Sequence, residues 1–77
     1  MGINEHEDRM KEKALFLSNL GKEMSYAVRD CGSIPEGHLY SSVMNHVSLG
    51  EFKMLVGLML KGGLVSKSNN VLRWIAG

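Results

Sequence analysis

Asn45-His46-Val47-Ser48-Leu49-Gly50-Glu51-Phe52-Lys53-Met54-Leu55-Val56-Gly57-Leu58-Met59-Leu60-Lys61-Gly62-Gly63-Leu64-Val65 decides the fold, because it holds both ends of one helix and the first residues of a β-prone run. Ser48 and Glu51 stand three residues apart, as a capping box requires. The Ser48 hydroxyl can accept from the Glu51 N–H, and the Glu51 carboxylate can reach back to the Ser48 N–H. Phe52, Leu55, Val56, Met59 and Leu60 succeed them at helical steps. Lys61 falls in the last turn, where a cation suits the helix dipole. Gly62-Gly63 ends the helix, and Leu64-Val65 starts the β-prone run.

Moving toward the C-terminus, Val71-Leu72-Arg73-Trp74-Ile75 is again β-prone. Ser68-Asn69-Asn70 before it is turn chemistry, because Asn tolerates positive φ. The chain therefore ends as a hairpin, and Trp74 is expected to pack on the helices rather than sit in a frayed tail.

Moving the other way, Asn45-His46-Val47 is a turn of the length that joins two helices of a helix-turn-helix. The helix before it is expected from about Glu36 or Gly37 to Asn45, with Leu39, Val43 and Met44 inward and Tyr40 beside them. Pro35 biases Ile34 toward an extended conformation, so Ser33-Ile34-Pro35 reads as a short extended piece. Upstream, a long helix is expected from about Glu7 to Asp30. Its apolar stripe is Met10, Ala14, Leu17, Leu20, Met24, Ala27 and Val28, widened by Phe16. Gly21 is its one internal breaker, marking either a close helix contact or a break between two helices. Cys31-Gly32 ends it, with Gly32 as a left-handed cap.

The order is thus helix, extended piece, helix, tight turn, helix, hairpin. Over about residues 15–75 the chain resembles the winged helix-turn-helix superfamily, most specifically in the capped helix from Ser48 and the Gly63-Leu64-Val65 entry to the wing. The resemblance implies a mainly α fold with a small β-hairpin, a three-helix core plus a two-stranded wing. Residues 1–6 would be a flexible tail and 7–77 one domain. A plain three-helix bundle is the alternative fold.

Composition bounds the function. At 77 residues the chain is one domain with a modest core. One cysteine, Cys31, cannot build a disulfide framework, which fits a reducing compartment and a cytoplasmic location. No apolar run approaches the roughly 18 residues of a membrane span. Net charge is +1 but uneven. Residues 1–39 carry five cations against seven acids, and residues 40–77 carry four cations against Glu51 alone. A nucleic-acid surface in the second half is permitted.

The resemblance implies double-stranded DNA as partner, with the helix after the turn in the major groove and the wing on the backbone. Gly50, Lys53, Met54, Gly57, Leu58 and Lys61 would then face outward. Lys53, Lys61, Lys67, Asn69, Asn70 and Arg73 are the candidate DNA contacts. Lys53 and Lys61 alone on that helix can donate to bases, so readout would be weak. The competing reading is a homodimer or another protein partner, docked on an exposed Met54–Gly57–Leu58 patch. A third reading rotates the helix so that Met54 and Leu58 are core.

Other chemistry finds little support. Cys31, His38 and His46 lack the close ligand pair and the fourth ligand of a zinc site, and Glu5-His6-Glu7-Asp8 reads as a solvated acidic run. Ser41 and Ser42 lie near His38 and His46 without an orienting acid or a nucleophile elbow. No phosphate-cradling glycine motif occurs. The expectation is a non-enzyme with no cofactor, no metal, no membrane association and no small-molecule substrate.

Overall fold

The computed structural model describes the backbone of residues 5–77 and the side chains of residues 11–77. Three helices pack with a small three-stranded antiparallel sheet, in the order α1 (Glu5–Cys31), β1 (Ser33–Pro35), α2 (Glu36–Val43), α3 (Leu49–Lys61), β2 (Val65–Ser68) and β3 (Val71–Trp74).

α1 is continuous through Gly21. A Cβ there would lie 3.5 Å from Leu55 Cδ2, so this glycine marks a helix contact and not a break. The helix starts at Glu5, inside the stretch expected to be a tail; the rest of that expectation, residues 1–4, lies outside the described residues. Leu20, Met24 and Val28 enter the core, and Leu17 and Ala27 pack at its edge. Ala14 and Phe16 are exposed; the side chain of Met10 lies outside the described residues. Gly32 takes φ +82, the left-handed conformation that stops the helix, and its N–H donates to the Val28 carbonyl at 2.7 Å.

The short extended piece is a true strand. Ile34 is buried opposite Leu72, and β1 pairs with β3, giving the sheet order β1-β3-β2. The hairpin expected to have two strands is thus extended to three. Its β2–β3 link is the two residues Asn69 (φ 52) and Asn70 (φ 61), the two positive φ values of a type I′ turn. Val65, Leu72 and Ile34 face the helices, and Trp74 packs at the core edge.

Three positions expected on apolar faces are corrected: Ala14 and Phe16 are exposed because the core covers α1 only from Leu17 on, and Met44 is exposed after α2. α2 ends at Val43, short of Asn45, and Met44 is 52% exposed. Leu39 and Val43 stand four residues apart on one face, and Val47, four further on, takes the next inward place. Met44 is turned about 100° away from Val43. Phe52, Leu55, Val56 and Met59 fill the inward arc of α3, and Leu60 sits exposed at its margin. Tyr40 lies over Phe52 with ring centroids 4.9 Å apart, tying α2 to α3.

Candidate nucleic-acid interface

The candidate site is built on α3, whose orientation is fixed at both ends. At the start, Glu51 N–H donates to Ser48 Oγ at 3.1 Å and Ser48 N–H donates to Glu51 Oε1 at 2.9 Å. Buried Val47 anchors the turn before it. At the end, Leu64 N–H reaches the Met59 carbonyl at 3.0 Å and Gly63 N–H reaches the Leu60 carbonyl at 3.1 Å, a Schellman closure with Gly63 at φ +72.

Glu51 also takes Lys13 Nζ at 2.8 Å on its second oxygen. The Lys13 hydrogen bond and the Ser48 N–H hold its carboxyl below the ordinary carboxylate value, against a smaller opposing effect of desolvation. Electrostatically this matters for the neighbouring face. The one acid of residues 40–77 is turned toward α1 and neutralised there.

The face of α3 pointing away from the core carries Gly50, Lys53, Met54, Gly57, Leu58 and Lys61, all of them exposed. The rotated reading, with Met54 and Leu58 in the core, is overturned: they are 49% and 60% exposed, because Phe52, Leu55, Val56 and Met59 already fill the inward arc. Lys53 and Lys61 are eight residues apart, about 12 Å along the axis. Leu58 lies at the α1 side of this face, where it lines a groove with Leu17 and Lys22.

The hairpin divides the remaining candidates. Asn69 and Asn70 are exposed at its tip. Arg73 is exposed on the outer sheet face, in one row with Ser33 and Ser66. Lys67 sits elsewhere. It pairs in register with buried Leu72, so it leaves the hairpin on the helix side, and its Nζ meets Glu36 Oε2 at 3.0 Å. The Glu36 N–H also donates to the Asn70 carbonyl at 2.7 Å. Lys67 therefore latches the hairpin to the first turn of α2, and is not a free cation beside Lys53 and Lys61.

Of the residues weighed for other chemistry, the side chains of Glu5, His6, Glu7 and Asp8 lie outside the described residues. Among the described residues no three His, Cys, Asp or Glu side chains come together as a metal site. Ser41 Oγ donates to the His38 carbonyl at 2.8 Å and Ser42 Oγ to the Leu39 carbonyl at 2.7 Å, local helix bonds that occupy both hydroxyl protons. His46 faces the Phe16 ring at 6.4 Å. No described helix is long and apolar enough to cross a membrane.

Sequence reading missed the Glu36–Lys67 latch and the α1–α3 groove. The first had no local signal. The second had one: the stripe of α1 runs further toward the N-terminus than the core it would cover. No protein-family model, curated protein or solved structure matches the chain.

Proposed function

We propose that the chain is a cytoplasmic winged helix-turn-helix domain, not an enzyme, that binds double-stranded DNA with weak base readout, as a small transcriptional regulator does. The element order and the pairing of the first strand onto the C-terminal hairpin support the winged-helix assignment. One observation carries the DNA reading. Lys53, Lys61 and Arg73 are exposed cations with no ion-pair partner among the described residues, and Glu51, the one acid of that half, is sequestered by Lys13. α3 would enter the major groove, with Gly50 and Gly57 allowing close approach of its backbone. Asn69 and Asn70 at the wing tip would donate to phosphate oxygens. Met54 and Leu58 offer methyl-group contact but no hydrogen bond, so affinity would come chiefly from phosphates.

A titration of isotope-labelled protein with a random-sequence duplex at low salt tests this. Amide shifts are expected on α3 around Lys53, Gly57 and Lys61 and at Asn69-Asn70. No shift anywhere would overturn it. The exposure of Met54 and Leu58 favours a second reading, a protein-partner surface in place of a DNA surface, and a spectrum silent to DNA would leave that reading standing.

A further inference from the structure

α1 carries small or apolar residues at alternating four- and three-residue steps: Met10, Ala14, Leu17, Gly21, Met24 and Val28. That spacing makes a seam for packing along another helix. From Gly21 onward the chain covers the seam itself, for Met24 and Val28 are buried and Gly21 faces Leu55. Before Gly21 the cover runs out. Leu17 is half-buried, Ala14 is exposed, and Leu15 next to it is 65% exposed. The helix has 27 residues, about 40 Å of length, in a molecule measuring 49 × 24 × 18 Å. Among the described residues, Ala14 and Leu15 lie outside the core.

Beside the seam lies an open groove of about 230 Å³ between α1 and α3. Leu17, Gly21, Leu55 and Leu58 give it an apolar floor, and Lys22 is its one charged lining residue. Ser25 also lines it, but its hydroxyl already donates to the Gly21 carbonyl at 2.9 Å, so it presents no unpaired proton there.

We propose that a second copy of this chain fills the groove. The α1 helices of two copies pack antiparallel about a two-fold axis, and the N-terminal half of each lies in the α1–α3 groove of the other. The symmetry closes both bare seams with one self-complementary contact. Charge selects the orientation. Residues 5–12 hold Glu5, Glu7, Asp8 and Glu12 against Arg9 and Lys11, a net −2. The groove offers Lys22, and exposed Lys61 lies one turn beyond Leu58 on α3. Antiparallel packing sets this acidic segment against those cations, whereas a parallel pair sets acid against acid. Lys53 and Gly57 point away from the groove and stay open in the dimer, whereas Leu58 and Lys61 belong to both surfaces, so the dimer and the DNA contact proposed above share Lys61.

Sedimentation equilibrium of the full chain, from micromolar to millimolar, tests the proposal. The unmodified protein is expected to dimerise. Ala14→Glu and Leu58→Glu lie at exposed positions, so far-UV circular dichroism should stay unchanged while each raises the dissociation constant about tenfold or more, the equivalent of a 1.4 kcal/mol loss. Lys22→Glu should also raise it, and Met54→Glu, on the outer face, should not. A paramagnetic tag on exposed Cys31 of an unlabelled copy, mixed with isotope-labelled protein, reports orientation. Broadening at the first turns of α1 is expected. A monomer at millimolar concentration, a dimer indifferent to Ala14→Glu and Leu58→Glu, or broadening centred on Cys31 would each overturn the proposal.

Discussion

The most discriminating perturbation of the proposed DNA contact is a comparison of two lysines that look alike in sequence. Lys53 stands free on α3, while Lys67 is held by Glu36 at 3.0 Å. Each phosphate neutralised by a free cation adds about −0.9 to the slope of log K against log salt. With Lys53, Lys61 and Arg73 engaged, the slope is about −2.7, and raising salt from about 50 to 200 mM weakens binding about 40-fold. Lys53→Ala should reduce the slope to about −1.8, so that the same salt change costs about 12-fold. Lys67→Ala should leave the slope near −2.7, because the latch gives that cation to a carboxylate and not to a phosphate. Fluorescence anisotropy of a labelled random duplex at four or more salt concentrations measures all three slopes. Equal losses from Lys53→Ala and Lys67→Ala would refute the reasoning from the latch. A flat salt dependence in the unmodified protein would refute the phosphate contact itself.

Three further predictions concern the scaffold. Gly21→Ala should stabilise the domain by up to about 1 kcal/mol, because the added methyl meets Leu55 at an ordinary contact distance while the helix gains propensity. Its thermal midpoint should rise by about 4–8 °C, and a fall would show that the α1–α3 contact has no room. The second concerns the depressed acidity of Glu51. A group whose folded pKa lies below its unfolded value contributes stability above the unfolded value, 4.5, and loses it as pH falls through the folded one. Urea midpoints of the unmodified protein and Glu51→Gln should therefore differ at neutral pH and converge in acid; a gap that widens in acid contradicts the assignment. Leu72→Ala, at a fully buried position of the central strand, should cost about 2–5 kcal/mol in urea unfolding, and a loss under 1 kcal/mol would show that the sheet does not organise the core.

The features legible in the sequence are those encoded locally. The capping box at Ser48, the Gly62-Gly63 stop and the Asn69-Asn70 turn each need only adjacent residues, and each is found where its chemistry places it. The inward face of α3 was legible because four apolar residues fill one arc. Met44 was misjudged because hydrophobicity alone does not say whether an inward face is already full. β1 was too short to declare itself a strand; Pro35 gave its extended shape but not its partner, which lies 38 positions away at Leu72 for Ile34. The fate of Lys67 was illegible for the same reason. Which side of a hairpin a lysine leaves depends on register, and its partner Glu36 lies on another element.

The strand order has a kinetic side. β3 is the last element in sequence and the middle one in space, bonded to β2 through a two-residue link and to β1 across about half of the chain. The hairpin can close in microseconds from local residues, whereas docking β1 must wait for a long loop to close. Two rates are thus built into one small sheet. Amide protons of β3 should exchange with solvent only through global opening, and the outer edge of β2 should be released far more readily. The same strand that joins the two halves of the chain is then the one whose release marks complete unfolding.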